Sequence, residues 1–409
     1  MPDKPIIFND PVYGFVKIPF GRVFELIDHR YFQRLRRIKQ LGLTYLVFPG
    51  ALHTRFQHAI GAAHLMGEAI ESLNSKGEGI TQEESEAAII AILLHDIGHG
   101  PFSHALESTL VRNVNHEEIS TLFIKELNEI YSGELEMAMS IFKGKYSKKI
   151  LNQLVCGQLD MDRLDYLSRD SFFTGVPEGT IGSERIIKLL ATHNDELVVE
   201  EKGIYSIENF IISRRLMYWG VYLHKTVTSA ENMLVNIFKR ARELIKNGEK
   251  IFATEALLYF LQNEVKLSDF SDNKLIINYY ASLDDYNILT CLQEWMNSSD
   301  VVLSRLSTGI VERQLFKITM QKDPIDQDLI SDYREKVISK FNISEKEAEY
   351  LVFNDTTENS AYDPIEPKIN ILFKNGNVVD IAEASDQLNI SVLSKPVKKY
   401  YLCYPKEIL

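Results

Sequence analysis

The sequence predicts a mainly α protein with a smaller C-terminal α+β part, and three observations carry that expectation. Apolar residues recur at helical spacing over two long stretches, about 21–40 and 207–246. Thr81, with Glu84 three residues on, forms a capping box ahead of the apolar run Ala87–Leu94. Beyond about residue 300 the texture changes to short β-rich runs, and Asn375-Gly376 between two apolar segments is a strong hairpin signal.

Taken in order, the first residues read as a short hairpin or loop through Val16 to Ile18, with turn chemistry at Asn9-Asp10-Pro11 and Gly14. Val23, Leu26, Ile27, Phe32, Leu35 and Ile38 then mark a helix from about Gly21 to Gln40, stopped by Gly42. A second helix is expected to begin near Thr54 and to carry His58. The helix announced by Thr81 must end near Gly98-His99-Gly100-Pro101, because Pro101 cannot continue it; His95 and Asp96 therefore fall in its last turns. Further helices are expected around Glu117–Ile130, Lys148–Gln158, Asp160–Asp170 and Ile207–Lys246. In the C-terminal part, Leu315–Met320, Ile369–Phe373, Val378–Ala382 and Tyr400–Tyr404 read as strands, Gln327–Phe341 as a helix and Asn354–Pro367 as a surface loop. The chain divides into residues 1–300, with a core at about 50–175, and 301–409, with a soft boundary within 295–312.

Composition narrows the function classes. With 45% hydrophobic and 25% charged residues the chain is an ordinary globular protein. A net charge of -12 argues against general attraction to nucleic acid or anionic membranes, so a polyphosphate must be met by a metal or a few placed cations. Cys156, Cys291 and Cys403 are too few and too scattered for a disulfide framework or a thiolate metal site. The first residues, MPDKPIIFND, lack a signal-peptide pattern, and no apolar run approaches the length of a membrane span; a cytoplasmic location is expected.

Ten histidines occur, and seven of them lie between His53 and His116. The densest segment is His95-Asp96-Ile97-Gly98-His99-Gly100-Pro101-Phe102-Ser103-His104. Adjacent His and Asp at a helix end can aim an imidazole nitrogen and a carboxylate oxygen at one point. Candidates for the remaining ligands are His58, in His53-Thr54-Arg55-Phe56-Gln57-His58, and Asp162, in Asp160-Met161-Asp162-Arg163-Leu164-Asp165-Tyr166. Two imidazoles and two carboxylates suit Mn, Fe, Ni or Zn, with Mg when phosphate oxygens complete the shell. Asp162, Tyr166 and Asp170, four apart, share one stripe of a helix over about 12 Å, the length from a phosphate to a sugar. Arg163 flanks that stripe, and Asp165 and Arg169 read as a plain surface ion pair. Arg214, Tyr218, Tyr222 and Lys225 form a second stripe. His53 and His64, taken alone, read as surface or core residues.

Together these motifs resemble those of the HD-domain deoxynucleoside triphosphate triphosphohydrolases. The likeness runs from Phe8-Asn9-Asp10-Pro11 to about Lys225. It includes Phe32-Gln33-Arg34-Leu35-Arg36-Arg37-Ile38-Lys39-Gln40-Leu41-Gly42, Val47-Phe48-Pro49-Gly50 and Arg169-Asp170, while residues past about 300 are only faintly similar. The resemblance implies an HD-domain helical bundle and a divalent ion on His58, His95, Asp96 and Asp162. It places His99, His104 and His116 along the phosphates, with His104 protonating the leaving oxygen and Glu107 orienting it. Substrate contacts follow at Gln40, Leu41, Arg55, Arg163, Tyr166, Asp170, Arg214, Tyr218 and Tyr222, with Tyr166 and Asp170 at the sugar 3′-hydroxyl and Tyr222 against the deoxyribose. Arg163 stands where animal members carry Lys, and Leu223 where they carry Gln near the base.

The expected reaction is hydrolysis of a dNTP, dGTP among them, to deoxynucleoside and inorganic triphosphate. Rival readings are an HD-type phosphodiesterase or nucleotidase, and a nucleotide sensor that turns over slowly. The resemblance also implies a guanine-nucleotide activator site at Asn9, Asp28, Gln33, Arg36, Val47, His224 and Lys225, assembling a homo-oligomer, dimer or tetramer. Ile6 departs from that pattern, replacing a phosphate-binding Lys. No membrane or nucleic-acid partner is expected.

Overall fold

The structure, a computed structural model, describes residues 6–18, 21–102, 106, 109, 111, 114–360, 362, 368–386 and 395–409. The chain begins with an antiparallel hairpin, β1 (Ile6–Asp10) and β2 (Gly14–Ile18), in register Phe8↔Val16. The stretch expected as one helix over 21–40 is three pieces: helices Arg22–Asp28 and Arg30–Gln33, then a 3₁₀ turn Arg34–Arg37. The break is at His29, extended at φ -66°, ψ 140°, whose ring accepts the Tyr31 amide. The five-residue step from Ile27 to Phe32 is out of phase with a single helix, so a break restores both ends to the core.

Two buried helices frame the site. Arg55–Ser75 starts from Thr54, and Gln82–Leu94 from Thr81, each with a complete capping box. Leu94 is the last residue of the second; His95 is its C-cap, one position beyond the expected last turn. Helices His116–Ile130 and Met161–Thr174 complete the surround, the latter ended by Gly175 in left-handed conformation at φ 70°. Against expectation, 207–246 is not continuous. Helix Ile204–Met217 runs into a π-helical turn, Tyr218–Tyr222, and the next helix, Lys225–Lys246, starts afresh. The Leu223 amide donates to the Tyr218 carbonyl at 2.7 Å, and His224, extended, caps the new helix through its ring at the Thr226 amide. A side-chain cap of this kind leaves no trace in hydrophobic periodicity.

The sheets draw on more than the end of the chain: an unexpected hairpin over residues 190–200, in the middle of the sequence, joins C-terminal strands. β3 (Leu190–His193), β4 (Glu196–Glu200), β7 (Asn370–Leu372) and β8 (Val378–Asp380) form one sheet in that order, with β4 and β7 parallel and β7–β8 the hairpin read at Asn375-Gly376. β5 (Lys317–Gln321), β9 (Val397–Tyr404) and β6 (Phe353–Asn359) form another, in the order β5-β9-β6. β6 overlaps the stretch Asn354–Pro367 expected to be a surface loop. It is an edge strand, paired with β9 from Phe353↔Cys403 to Asn359↔Val397, and an edge with a solvated face tolerates its polar sequence. Helix Gln327–Phe341 stands as expected. One buried apolar cluster runs from Val16 to Ile408. C-terminal residues reach the wall of the site: Lys399 lies over the Trp219 ring at 3.8 Å in the π turn, and Arg313 donates to the Leu46 carbonyl at 2.6 Å. No helix among the described residues is long and apolar enough to cross a membrane.

Candidate metal centre

His58 projects from helix Arg55–Ser75, His95 from the end of Gln82–Leu94, and Asp162 from the first turn of Met161–Thr174. One ligand atom from each lies within 4.8 Å of the others. Asp162 Oδ1 stands 3.1 Å from His58 Nε2 and 3.4 Å from His95 Nε2. Asp96 faces the same point, with Oδ1 3.4 Å from His95 Nε2 and Oδ2 3.8 Å from His58 Nε2. All four residues expected as ligands are thus brought together.

The protons of the two imidazoles are already committed elsewhere. His58 Nδ1 bonds Asp165 Oδ2 at 2.7 Å, and His95 Nδ1 bonds the Ile92 carbonyl at 2.6 Å. On the neutral ring with its proton on Nδ1, each Nε2 carries a lone pair, and each is buried with no hydrogen-bond partner. Buried polar atoms are rarely left unsatisfied. Two such lone pairs converging with two carboxylates fit a divalent cation, and hydrogen-bonded far nitrogens are the usual support for metal-binding imidazoles. The electrostatics agree. Burial opposes charge on His58, but Asp162 and Asp165 outweigh it and raise its pKa to about 10; burial likewise opposes charge on His95, and Asp96 and Asp162 raise it to about 9. Burial alone raises the Asp162 carboxyl, yet His58 and His95 hold it well below the carboxylate range. The pocket demands positive charge.

A second group adjoins the first. Asp96, His99 and His116 also offer ligand atoms within 4.8 Å of one another; His99 Nε2 lies 3.2 Å from Asp96 Oδ1, and the His99 and His116 rings stack at 3.8 Å. Arg55, itself 3% exposed, pairs with Asp96. Burial first, then Arg55, keeps the His99 pKa well below the usual histidine value. His104 and Glu107 lie outside the described residues.

Beneath the centre is a network that the sequence reading missed. Asp165 and Arg169 are not a surface pair: both are 0% exposed. Arg169 Nη2 bonds Asp165 Oδ1 at 2.9 Å, and its Nη1 bonds Asp10 Oδ2 at 2.8 Å, so the chain Asp10–Arg169–Asp165–His58 orients the imidazole. The network crowds the neighbouring helix, where a Cβ on Gly61 would stand 2.0 Å from Asp165 Oδ1. Gly61 is the one trace of this close approach in the sequence.

Of the residues expected to meet substrate, Tyr166, Asp170, Arg214, Tyr218 and Tyr222 lie together. Asp170, from the Asp162–Tyr166–Asp170 stripe, takes a bond from the Tyr222 hydroxyl at 2.7 Å on one oxygen and from His53 at 2.7 Å on the other. His53, read as merely surface or core, is buried and stacks on Phe173 at 4.5 Å. The Tyr222 ring meets Tyr166 at 6.1 Å and Tyr218 at 5.1 Å, and Arg214 lies 5.7 Å from the Tyr218 ring. Arg163 bonds Asp160 and the Gly157 carbonyl, while its Nε and the Nε of Arg214 are buried without partners. Gln40, half-buried beside Leu41, keeps a buried and unpartnered Oε1.

The expected regulatory residues form two groups. Arg36 Nε donates to Gln33 Oε1 at 2.9 Å, and its guanidinium lies 3.5 Å over Phe56, whose ring also meets Phe8, the neighbour of Asn9. His224, beside Lys225, meets Phe48, the neighbour of Val47, at 5.8 Å. Asp28 is exposed at the end of its own helix, so Asp28, Gln33 and Arg36 do not share one continuous helix as expected.

Comparison with known proteins agrees with this geometry. The HD domain family matches residues 55–170, and the HD associated region matches residues 181–259. A phosphohydrolase of Bacteroides thetaiotaomicron, solved by crystallography, is 52% identical, with a TM-score of 0.95 over 98% of this chain and 100% of that one. The uncharacterized protein YwfO of Bacillus subtilis is 32% identical over 417 residues, 98% of this chain and 93% of its own. The deoxynucleoside triphosphate triphosphohydrolase SAMHD1 homolog of Dictyostelium discoideum is 28% identical over 86% of this chain and 76% of its own. With its paired helices carrying His58 and His95-Asp96 at one buried point, the chain belongs to the HD-domain phosphohydrolase family.

Proposed function

We propose that this phosphohydrolase cleaves deoxynucleoside triphosphates at the α-phosphorus, giving deoxynucleoside and inorganic triphosphate. The observation that carries the reading is the pair of buried, unpartnered Nε2 lone pairs of His58 and His95, set at the head of the stripe Asp162–Tyr166–Asp170. His58, His95, Asp96 and Asp162 are the residues that hold a divalent ion; the donor set suits Mn, Fe, Ni, Zn or Mg. When bound, such an ion lowers the pKa of a water and polarises a phosphate oxygen. Arg55, Arg163 and Arg214 meet the charge of the triphosphate, and the unpartnered Nε atoms of the last two support that role. Burial and then Arg55 keep the His99 pKa well below the usual histidine value, and His99 stacks on His116 at the phosphate side. Asp170 and Tyr222 fix each other at the far end, where a deoxyribose packs against Tyr222 and Leu41. His104 is assigned the protonation of the departing 5′-oxygen, with Glu107 orienting it. The reading is strengthened by the name of the Dictyostelium relative.

Regulation belongs to the same proposal: a guanine nucleotide bound by Asn9, Asp28, Gln33, Arg36, Val47, His224 and Lys225 joins copies of the chain. The exposed Asp28 and the Gln33–Arg36 pair supply acceptor and donor edges of the kind guanine reads. Two experiments test these statements. Anion-exchange separation of products from a dNTP panel with Mn or Mg is expected to show inorganic triphosphate; orthophosphate or pyrophosphate alone would assign a different phosphohydrolase reaction. Light scattering with and without dGTP or GTP is expected to show a nucleotide-driven rise in mass, and an unchanged oligomer would remove the regulatory part only.

A further inference from the structure

Three arginines follow one another within Arg34-Leu35-Arg36-Arg37, and their fates differ. Arg36 and Arg37 are exposed, whereas Arg34 is 1% exposed, among the largest fully buried side chains of the molecule. Its guanidinium donates from Nη1 and Nη2 to the His99 carbonyl at 2.9 and 2.7 Å, and from Nη1 towards the Ile97 carbonyl at 3.5 Å. Its faces meet the rings of Phe123 at 5.4 Å and Tyr280 at 5.5 Å, and its Nε has no partner. Burial lowers its pKa to about 10, so it stays charged at neutral pH. A buried cation held by carbonyls and rings rather than by a carboxylate is costly, and an apolar side chain would fill the space without that cost.

What the charge achieves is visible in the turn it holds. The helical ladder ends at Leu94, and beyond the Ile97 amide on the Leu94 carbonyl and the His99 amide on the Asp96 carbonyl, both at 3.1 Å, the backbone from His95 to Phe102 is held from outside. Ser120 Oγ accepts the Gly98 amide at 2.9 Å and donates to the His95 carbonyl at 2.7 Å. The Tyr280 hydroxyl donates to the Gly98 carbonyl at 2.9 Å, and Asp285 Oδ1 accepts the Phe102 amide at 3.0 Å. Gly98 itself is packed so closely that a Cβ would lie 2.3 Å from the His116 carbonyl. Arg34 serves the two carbonyls that flank this point. His95 and Asp96 have their own anchors, the Ile92 carbonyl and Arg55, so the fork acts on His99 and not on the metal-facing pair.

We propose that Arg34 is a positioning residue, its planar fork holding the Ile97–His99 backbone so that His99 stays aimed at Asp96 across the phosphate side of the centre. A lysine keeps the charge but offers no fork for two carbonyls at once. The proposal rests on the phosphohydrolase reading only through its rate measurement. Arg34→Lys and Tyr280→Phe, loaded with Mn, would be compared with wild type by amide hydrogen exchange, elemental analysis, and steady-state kinetics on dGTP and bis(p-nitrophenyl) phosphate. In R34K, exchange of the 95–102 peptide is expected to rise about tenfold while 82–94 is unchanged, Mn content is kept, and kcat falls about 10–100-fold with KM within about threefold. Y280F, which removes the hydroxyl that bonds the Gly98 carbonyl and faces Arg34, is expected to do the same more weakly, and it decides the matter if R34K does not fold. Wild-type exchange and kcat in folded variants would overturn the proposal, as would exchange raised along the whole chain with Mn lost. If wild type leaves dGTP intact, the substrate reading fails while the exchange result still judges Arg34.

Discussion

The cluster around Arg240 is as densely charged as the one around His95, and the two are completed in opposite ways. Arg240 bonds Glu243 at 2.8 Å, Asp300 at 2.5 Å and Glu347 at 2.6 Å, and Glu243 is further held by the Tyr350 hydroxyl at 2.9 Å and by Lys346. Cation and carboxylates answer one another, tying helix Lys225–Lys246 to Val301–Val311 and Glu345–Leu351. Around His95 the anchoring atoms are equally well paired, but both Nε2 atoms are left facing two carboxylates. A charge cluster closed on itself is architecture. One whose supports are complete and whose lone pairs are open needs a partner from outside the chain.

The sharpest way to break this comparison is to remove a metal-facing group. His95→Ala or Asp96→Ala is expected to take activity to background and to strip bound metal, with the helical circular-dichroism spectrum retained. Full metal content with full activity would end the assignment. Arg240→Met is expected to do the converse, lowering unfolding free energy by about 2 kcal/mol because half-buried carboxylates lose their shared cation, with metal content and kcat within twofold of wild type; denaturant titration beside elemental analysis checks it. Asp165→Asn lies between the two. It keeps shape but weakens the acceptor that fixes the His58 tautomer, and is expected to cost about 10–100-fold in metal affinity, read by competition with a chelator; unchanged affinity would demote the Asp10–Arg169–Asp165 network to support of the fold.

The legible parts of the site were those written in local chemistry. His95-Asp96 before Gly98-His99-Gly100-Pro101 announces a helix end bearing ligands, and the four-residue spacing of Asp162, Tyr166 and Asp170 places them on one face. Spacing gave no warning that the adjoining stripe of the same helix is buried too. Asp165 and Arg169 look solvated until Asp10, 159 residues before Arg169, is brought beside them. His53 and Arg34 escaped notice for the same reason, since their partners Asp170 and His99 are 117 and 65 residues away. In the fold, the errors lie at His29, His224 and β6. Two are helix restarts capped by a histidine ring, and the third is an edge strand whose polar face resembles a loop.

The smallest effect expected concerns acid, and it separates the two clusters by pH. Burial alone would push the Glu243 carboxyl up, but Lys346, Arg240 and Tyr350 outweigh it and bring its pKa from the usual 4.5 to about 2 in the folded protein. A carboxyl depressed on folding stabilises the folded state fully above its unfolded pKa and ceases to do so as pH falls through its folded one. The window is therefore about pH 4.5 down to 2. Glu243 is 16% exposed in its side chain, but its partner Lys346 is 73% exposed, so solvent screening discounts the effect. Between pH 5 and pH 3 its contribution should fall by about 1.5 kcal/mol. Metal-free protein is the right material, because the centre then cannot add metal release to the same pH range. Glu243→Gln has no carboxyl to protonate there, and its unfolding free energy should decline less steeply than that of wild type by this amount. Equal slopes for the two proteins would mean that Glu243 is not held by its neighbours in solution, and the Arg240 cluster would lose its standing as the closed counterpart of the metal centre.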